Sequence, residues 1–185
     1  MVPGLLLNHM IEQGLGCHAN IWVTQPRRIS AIGVAERISS ERGEKVGGTC
    51  GYSIKLEKRC SKKTRITLCT TGVLLRRLQC DPDLANVSHV IVDEVHERDI
   101  NSDFALIILR DLLKRRKSLK LILMSATFDK DIFASYFDDC ATVDIPGRAF
   151  PVQEFRLEDV LQITGYEVQE GSDYAWKESA KSPSR

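Results

Sequence analysis

The chain has 185 residues, with 26 Lys and Arg against 25 Asp and Glu, 43% hydrophobic residues and 6% aromatics. That hydrophobic fraction builds a core and excludes wholesale disorder, and the longest apolar run, Phe104–Leu109, is far too short to span a membrane. The net charge of +1 hides an asymmetry: residues 1–157 carry 23 bases and 19 acids, residues 158–185 three bases and six acids.

In chain order, the sequence opens inside what reads as a helix. Met1–Leu7 has no basic leader region, so an intracellular protein, nuclear or cytoplasmic, is expected. Ile21–Thr24 reads as a strand, and Ile29–Ile38 as a helix with apolar residues at 29, 32, 34, 35 and 38. Gly51–Lys55 and the basic stretch Lys55–Arg65 predict a cationic, hairpin-like surface with only Glu57 opposing the charge. Ile66–Cys69 is a strand leading into a helix over Gly72–Leu78, and His89–Asp93 has the continuous apolar centre of a strand buried on both faces. Ser102–Lys117 is the longest helix, with Ser102 expected at its N-cap and Lys114–Lys117 complementing the dipole at its end. Leu119–Met124 is a strand, Asp131–Phe137 a short helix and Ala141–Ile145 a last buried strand, with an extended piece after it over Phe150–Leu157. Past Tyr166 the composition is that of a linker. Strand–helix alternation around buried strands predicts an α/β fold, a parallel sheet with helices on both faces.

The six cysteines include no CxxC pair and no zinc-finger spacing, which favours reduced, non-ligating thiols. Ligands of such sheets bind at the carboxyl ends of the strands, so the residues just past each strand matter most. Asp93 and Glu94 come directly after the buried strand. Adjacent carboxylates there suit a Mg²⁺ ion with its waters, and a water attacking a phosphate, although a solvated acidic loop is the plainer alternative. Ser125 and Thr127 come after the next strand, where they either bond the acidic loop or cap the next helix. Gln25-Pro-Arg-Arg28 holds Arg27 and Arg28 at a helix start, against the dipole, so an anionic partner is the economical explanation. Thr70, Thr71 and Gly72 make another hydroxyl-rich helix start. Phosphate-friendly features on consecutive strand ends favour a nucleic-acid backbone.

Thr24-Gln-Pro-Arg-Arg28, Thr70-Thr-Gly72, Asp93-Glu-Val-His96 with Glu97-Arg98, and Ser125-Ala-Thr127 resemble, in order, motifs Ia, Ib/Ic, II and III of the DEAH-box RNA helicases. Gly147–Pro151 resembles the exit from their first RecA-like lobe, and Glu154–Leu161 with Thr164–Tyr166 resembles the RNA helicase A-like branch, which includes YTH-domain-bearing and G-quadruplex-resolving members. The resemblance implies a RecA-like, P-loop NTPase-type sheet and an ATP-dependent RNA helicase that hydrolyses NTP. It implies Asp93 and Glu94 at the Mg²⁺ and ATP site, with Asp93 on the metal and Glu94 on the attacking water. It implies that His96, Ser125 and Thr127 couple hydrolysis to movement, and that Thr24, Gln25, Arg27, Arg28, Thr70, Thr71 and Gly72 track RNA. Residues 1–157 then form the first lobe, and 158–185 an acidic connector toward a second RecA-like lobe and C-terminal auxiliary domains.

The family's phosphate-binding GxxxxGK[ST] occurs nowhere in the chain; the nearest spacing, Gly43 to Gly48, continues with Thr49 and has no strand before it. Met1-Val-Pro3 matches the step just after that loop, so the fold is expected to be incomplete at its N-terminus and the chain inactive in hydrolysis by itself. A sheet without the P-loop strand would leave unpaired ladder groups. The alternative function is a non-catalytic RNA-binding fragment.

Overall fold

The computed structural model describes residues 1–126, 130–138, 140–147, 150–167, 169 and 172. The chain divides into two compact units, Met1–Thr142 and Val143–Arg185.

The first unit is built on a six-stranded sheet in the order β3-β2-β4-β1-β5-β6. Its strands are β1 (Ile21–Gln25), β2 (Cys50–Ile54), β3 (Glu57–Arg59), β4 (Ile66–Thr70), β5 (His89–Val92) and β6 (Lys120–Leu123). All neighbours are parallel except β2 and β3, which form an antiparallel hairpin. In the register of the sheet Val23 stands between Leu68 and Ile91. These three join one core with Ile21, Ile66, Ala31, Ala35 and Ile38 beneath α1 (Val2–Glu12) and α2 (Arg28–Glu41). The alternate residues Cys69, Val90 and Val92 face a second core with Leu74, Leu78, Leu106, Leu109 and Leu112, beneath α3 (Thr71–Cys80) and α4 (Ile100–Arg115). The expected sheet with helices on both faces is therefore present, and the continuous apolar run of β5 is explained by burial on both sides. Among the described residues β6 pairs only with β5, and Leu121, Ile122 and Leu123 are half-buried.

The hairpin depends on one glycine. A Cβ on Gly51 would lie 2.2 Å from the Arg59 carbonyl oxygen and 3.1 Å from Cys60 Sγ, so β2 and β3 approach there only because that atom is missing.

Three expectations need correction. Helix α4 is capped by Asp99, whose carboxylate accepts from the Ser102 amide at 3.3 Å; Ser102 lies inside the helix, buried against Thr71. The buried strand over Ala141–Ile145 does not form: residues 140–147 have no regular structure, and Val143 and Ile145 are 83% and 72% exposed. Alternating β-branched residues make a strand only against a ladder partner, and no described strand offers one. In the second unit the extended piece ends in α6 (Leu157–Thr164), started by Glu158 and Asp159, whose carboxylate accepts from the Arg156 amide at 2.9 Å, and stopped by Gly165 at φ 61°.

His89 at the start of β5 ties stability to pH. It is half-buried, with Nδ1 at 3.0 Å from Ser88 Oγ. Burial, with Lys120 beside it, holds the imidazole pKa below its usual value. The unfolded chain therefore takes up a proton near the ordinary histidine pKa, where the folded chain resists. This contribution is present above that pH and lost as the pH falls through the folded value. We expect the urea midpoint to fall from neutral pH toward mildly acidic pH, and His89→Gln to flatten that fall; an unchanged profile in the variant would remove His89 as the cause.

Candidate functional site

The carboxyl ends of β1, β4, β5 and β6 converge, as parallel pairing requires. Asp93 stands just past β5, and its amide donates to the Thr24 carbonyl at 3.2 Å, extending the ladder with β1 by one residue. Its two carboxylate oxygens accept from Gln25 Nε2 at 2.6 Å and from the Glu94 amide at 2.9 Å. Glu94 adopts a left-handed backbone at φ 56°, and Arg98 does the same at φ 50°, bracketing a short 3₁₀ turn over Val95–Glu97. Non-glycine residues in that region cost of order 1–3 kcal/mol and cluster at functional loops. The turn is held from β6, where the Val95 amide donates to the Met124 carbonyl at 3.2 Å.

Within the turn, His96 Nδ1 lies 3.1 Å from Ser125 Oγ and 3.3 Å from Glu94 Oε2. One imidazole thus joins the Glu94 carboxylate to the loop after β6. Arg98 grips Asp103 at 2.8 Å and lies over the Phe133 ring at 5.7 Å, fixing the far end of the turn to α4 and to α5 (Lys130–Tyr136). Thr127 falls outside the described residues.

The residues assigned to RNA divide. Arg27 and Arg28 are exposed at the start of α2, whose first turn holds no acid. Arg27 Nη2 lies 3.3 Å from Glu97 Oε1, and Arg28 Nη2 donates to the Lys55 carbonyl at 3.3 Å, at the tip of the basic hairpin. Thr70 is half-buried at the end of β4, and a Cβ on Gly72 would meet nothing within 4 Å, so the surface at the start of α3 is open. Thr24, Gln25 and Thr71 are only 1%, 3% and 4% exposed. Their side chains are turned inward: β1 lies centrally between β4 and β5, where Gln25 meets Asp93, while Thr71 Oγ1 meets Ser102 Oγ at 3.3 Å. Thr24 Oγ1 is buried without a hydrogen-bond partner among the described residues.

The glycines at 43–48 form the turn between α2 and β2, not a phosphate cradle. Glu44 Oε2 already accepts the Thr49 amide there at 3.0 Å, which with Arg42 holds the Glu44 carboxyl below its usual pKa.

The profile of the DEAD/DEAH box helicase family matches residues 9–134, about two thirds of the chain. The chain belongs to that family. It is 53% identical over 180 residues to the DExH-box ATP-dependent RNA helicase DExH1 of Arabidopsis thaliana, covering 97% of this chain and 18% of that protein. It is 50% identical over 182 residues to the ATP-dependent RNA helicase DHX29 of Mus musculus, covering 95% and 13%. To the DExH-box ATP-dependent RNA helicase DExH3 of Arabidopsis thaliana it is 48% identical over 183 residues, covering 95% and 15%. The chain therefore spans less than a fifth of the length of these relatives.

Two features of this helicase segment were not legible in its motifs: the Gln25–Asp93 bond and the Arg27–Glu97 pair. They join the end of β1 and the start of α2 to the loop after β5 across 68 and 70 residues of sequence, a separation no local pattern encodes. The donor set fits a hard divalent cation in part. Asp93 and Glu94 place two carboxylates just past β5, the oxygen donors that a hard divalent cation takes, and no group of three or more His, Cys, Asp or Glu gathers among the described residues. The pattern GxxxxGK[ST], which cradles nucleotide phosphates, does not occur in the sequence. No described helix is long and apolar enough to cross a membrane.

Proposed function

We propose that the chain is the part of the first RecA-like lobe of an ATP-dependent RNA helicase that carries motifs Ia to III, with residues 1–157 as the lobe and 158–185 as a connector toward a second lobe and auxiliary domains. Arg27, Arg28 and the surface around Thr70 and Gly72 take the RNA sugar–phosphate backbone, with little sequence preference because phosphates carry no base information. Asp93 holds Mg²⁺ through its carboxylate when nucleotide is bound, and the ion screens phosphate charge. Glu94 orients the water, and the His96 contacts to Glu94 and Ser125 carry its position to the loop after β6. Thr127 belongs to the same coupling by resemblance.

The observation that supports this assignment best is the 2.6 Å bond from Gln25 to Asp93. It connects the strand that leads into the two arginines directly to the carboxylate proposed for the metal. RNA contact and nucleotide chemistry thereby share one rigid link across adjacent strands.

One observation favours a second function, a non-catalytic RNA-binding fragment: the missing GxxxxGK[ST]. Two measurements decide. The 185-residue chain is expected to bind RNA weakly and in a salt-sensitive way, yet to show no RNA-stimulated ATP hydrolysis. A clear rate that disappears in Glu94→Gln would show that the chain hydrolyses ATP by itself. An in-frame strand with GxxxxGK[ST] upstream of the Met1 codon assigns the chain to the enzyme, and a clean upstream stop in full-length transcripts to the fragment.

A further inference from the structure

We propose that Glu97 is an internal stand-in for an RNA phosphate: in the RNA-free chain it occupies Arg27, and RNA binds there by displacing it. This rests on the RNA-backbone assignment above and adds to it the group that RNA must compete with.

The two arginines at the start of α2 are adjacent in sequence and differ in what they meet. Arg28 donates to a neutral acceptor, the Lys55 carbonyl, and makes no ion pair among the described residues, so its charge is unopposed at short range. Arg27 meets the Glu97 carboxylate at 3.3 Å, while its side chain remains 75% exposed. A carboxylate presents two oxygens to a guanidinium much as a phosphate does, so the two anions compete for one fork of donors. An exposed pair is also weak enough to be exchanged, since solvent screens it and both side chains lose freedom in forming it.

The position of Glu97 gives the exchange a consequence beyond affinity. It is the last residue of the 3₁₀ turn over Val95–Glu97, and its amide donates to the Glu94 carbonyl at 3.0 Å. Releasing its side chain from Arg27 frees one of the contacts that anchor this turn to β1 and α2. The same turn carries His96 and begins at Glu94, so occupancy of Arg27 by RNA is felt by the residues proposed for the water. The plain alternative is an ordinary surface ion pair with no bearing on RNA.

The experiment is a mutant cycle in the 185-residue chain, read as binding of a short fluorescent oligouridylate at fixed salt. Glu97→Gln is expected to tighten binding about two- to fivefold. It should do so by the same factor in Arg28→Ala and leave Arg27→Ala unchanged, because only Arg27 has a partner to lose. Equal tightening in all three backgrounds would mean that removing any surface negative charge suffices, and would overturn the proposal, as would no tightening in the parent chain. The urea midpoint of Glu97→Gln should match the parent, so that a change in binding is not a change in folding. A parent chain that binds no RNA sinks the RNA-backbone assignment and this inference with it. A parent chain that binds RNA but ignores Glu97 leaves the assignment standing and removes this inference alone.

Discussion

Replacing Arg27 and Arg28 together by alanine is expected to weaken single-stranded RNA binding by about tenfold to a hundredfold, or about 1.4–2.7 kcal/mol, less than the roughly 3–6 kcal/mol of two fully formed charged hydrogen bonds because solvent screens both exposed side chains. The loss should be the same for different sequences, because the contacts proposed are to the backbone. The salt dependence should also flatten, with the slope of log K against log salt falling by about 1.4, which is about 0.7 for each phosphate contact removed from a single strand. The slope makes the result diagnostic: a misfolded variant loses affinity without that defined change. Binding measured from low to moderate salt checks it, and an unchanged affinity would remove the pair from the RNA face. Both residues are exposed and Arg27 is partly neutralised by Glu97, so stability should hardly change and the observed loss should lie toward the lower end.

Gly51→Ala is expected to destabilise the first unit by about 3 kcal/mol, at the upper end of overpacking costs. The added Cβ would lie 2.2 Å from a backbone oxygen of β3, and a backbone atom cannot swing aside as the end of a side chain can. Either β3 separates from β2 or β2 shifts against β4, whose register places Gly51 opposite Thr67. Gly33→Ala is the contrasting control. An added Cβ there meets nothing within 4 Å in the interior of α2, so it should stabilise by about 0.5–1 kcal/mol. Urea unfolding of the two variants beside the parent measures both. Equal stability of Gly51→Ala and the parent would mean that the hairpin strands do not pack this closely. Loss of the hairpin would also disperse the cations of Lys55–Arg65, so Gly51→Ala should weaken RNA binding without touching a charge.

Continuous apolar runs identified β1, β4 and β5 because central parallel strands are buried on both faces, a similar run identified the half-buried β6 at the end of the described sheet, and the glycine and basic pattern around residue 51 identified the hairpin. The acidic loop and the arginine pair were legible for a similar reason. Each places charge where burial or the helix dipole opposes it, so each demands an external explanation. What the sequence could not disclose was direction. Gln25 beside Arg27 and Arg28 looks equally suited to a ligand, but its place at the centre of the sheet turns it onto Asp93. Thr71 is turned inward by the approach of α4. Ala141–Ile145 has a strand's pattern and pairs with no described strand, and strand formation is a property of pairs. Asp99 took the cap expected of Ser102 because its extended backbone, at φ −63° and ψ 138°, sits just ahead of the first helical turn.

The left-handed backbone at Glu94 sets two kinds of selection against each other. Glycine reaches φ 56° without strain, and asparagine tolerates it, so a screen for thermal tolerance alone would drift toward either residue at position 94. If Glu94 has the water-orienting role proposed for it, a screen for turnover in a complete helicase would hold the carboxylate against that drift. Laboratory evolution of such an enzyme under heat should therefore collect gains elsewhere in the lobe while position 94 stays fixed, and a library that relaxes the demand for activity should show substitution at this position among the first.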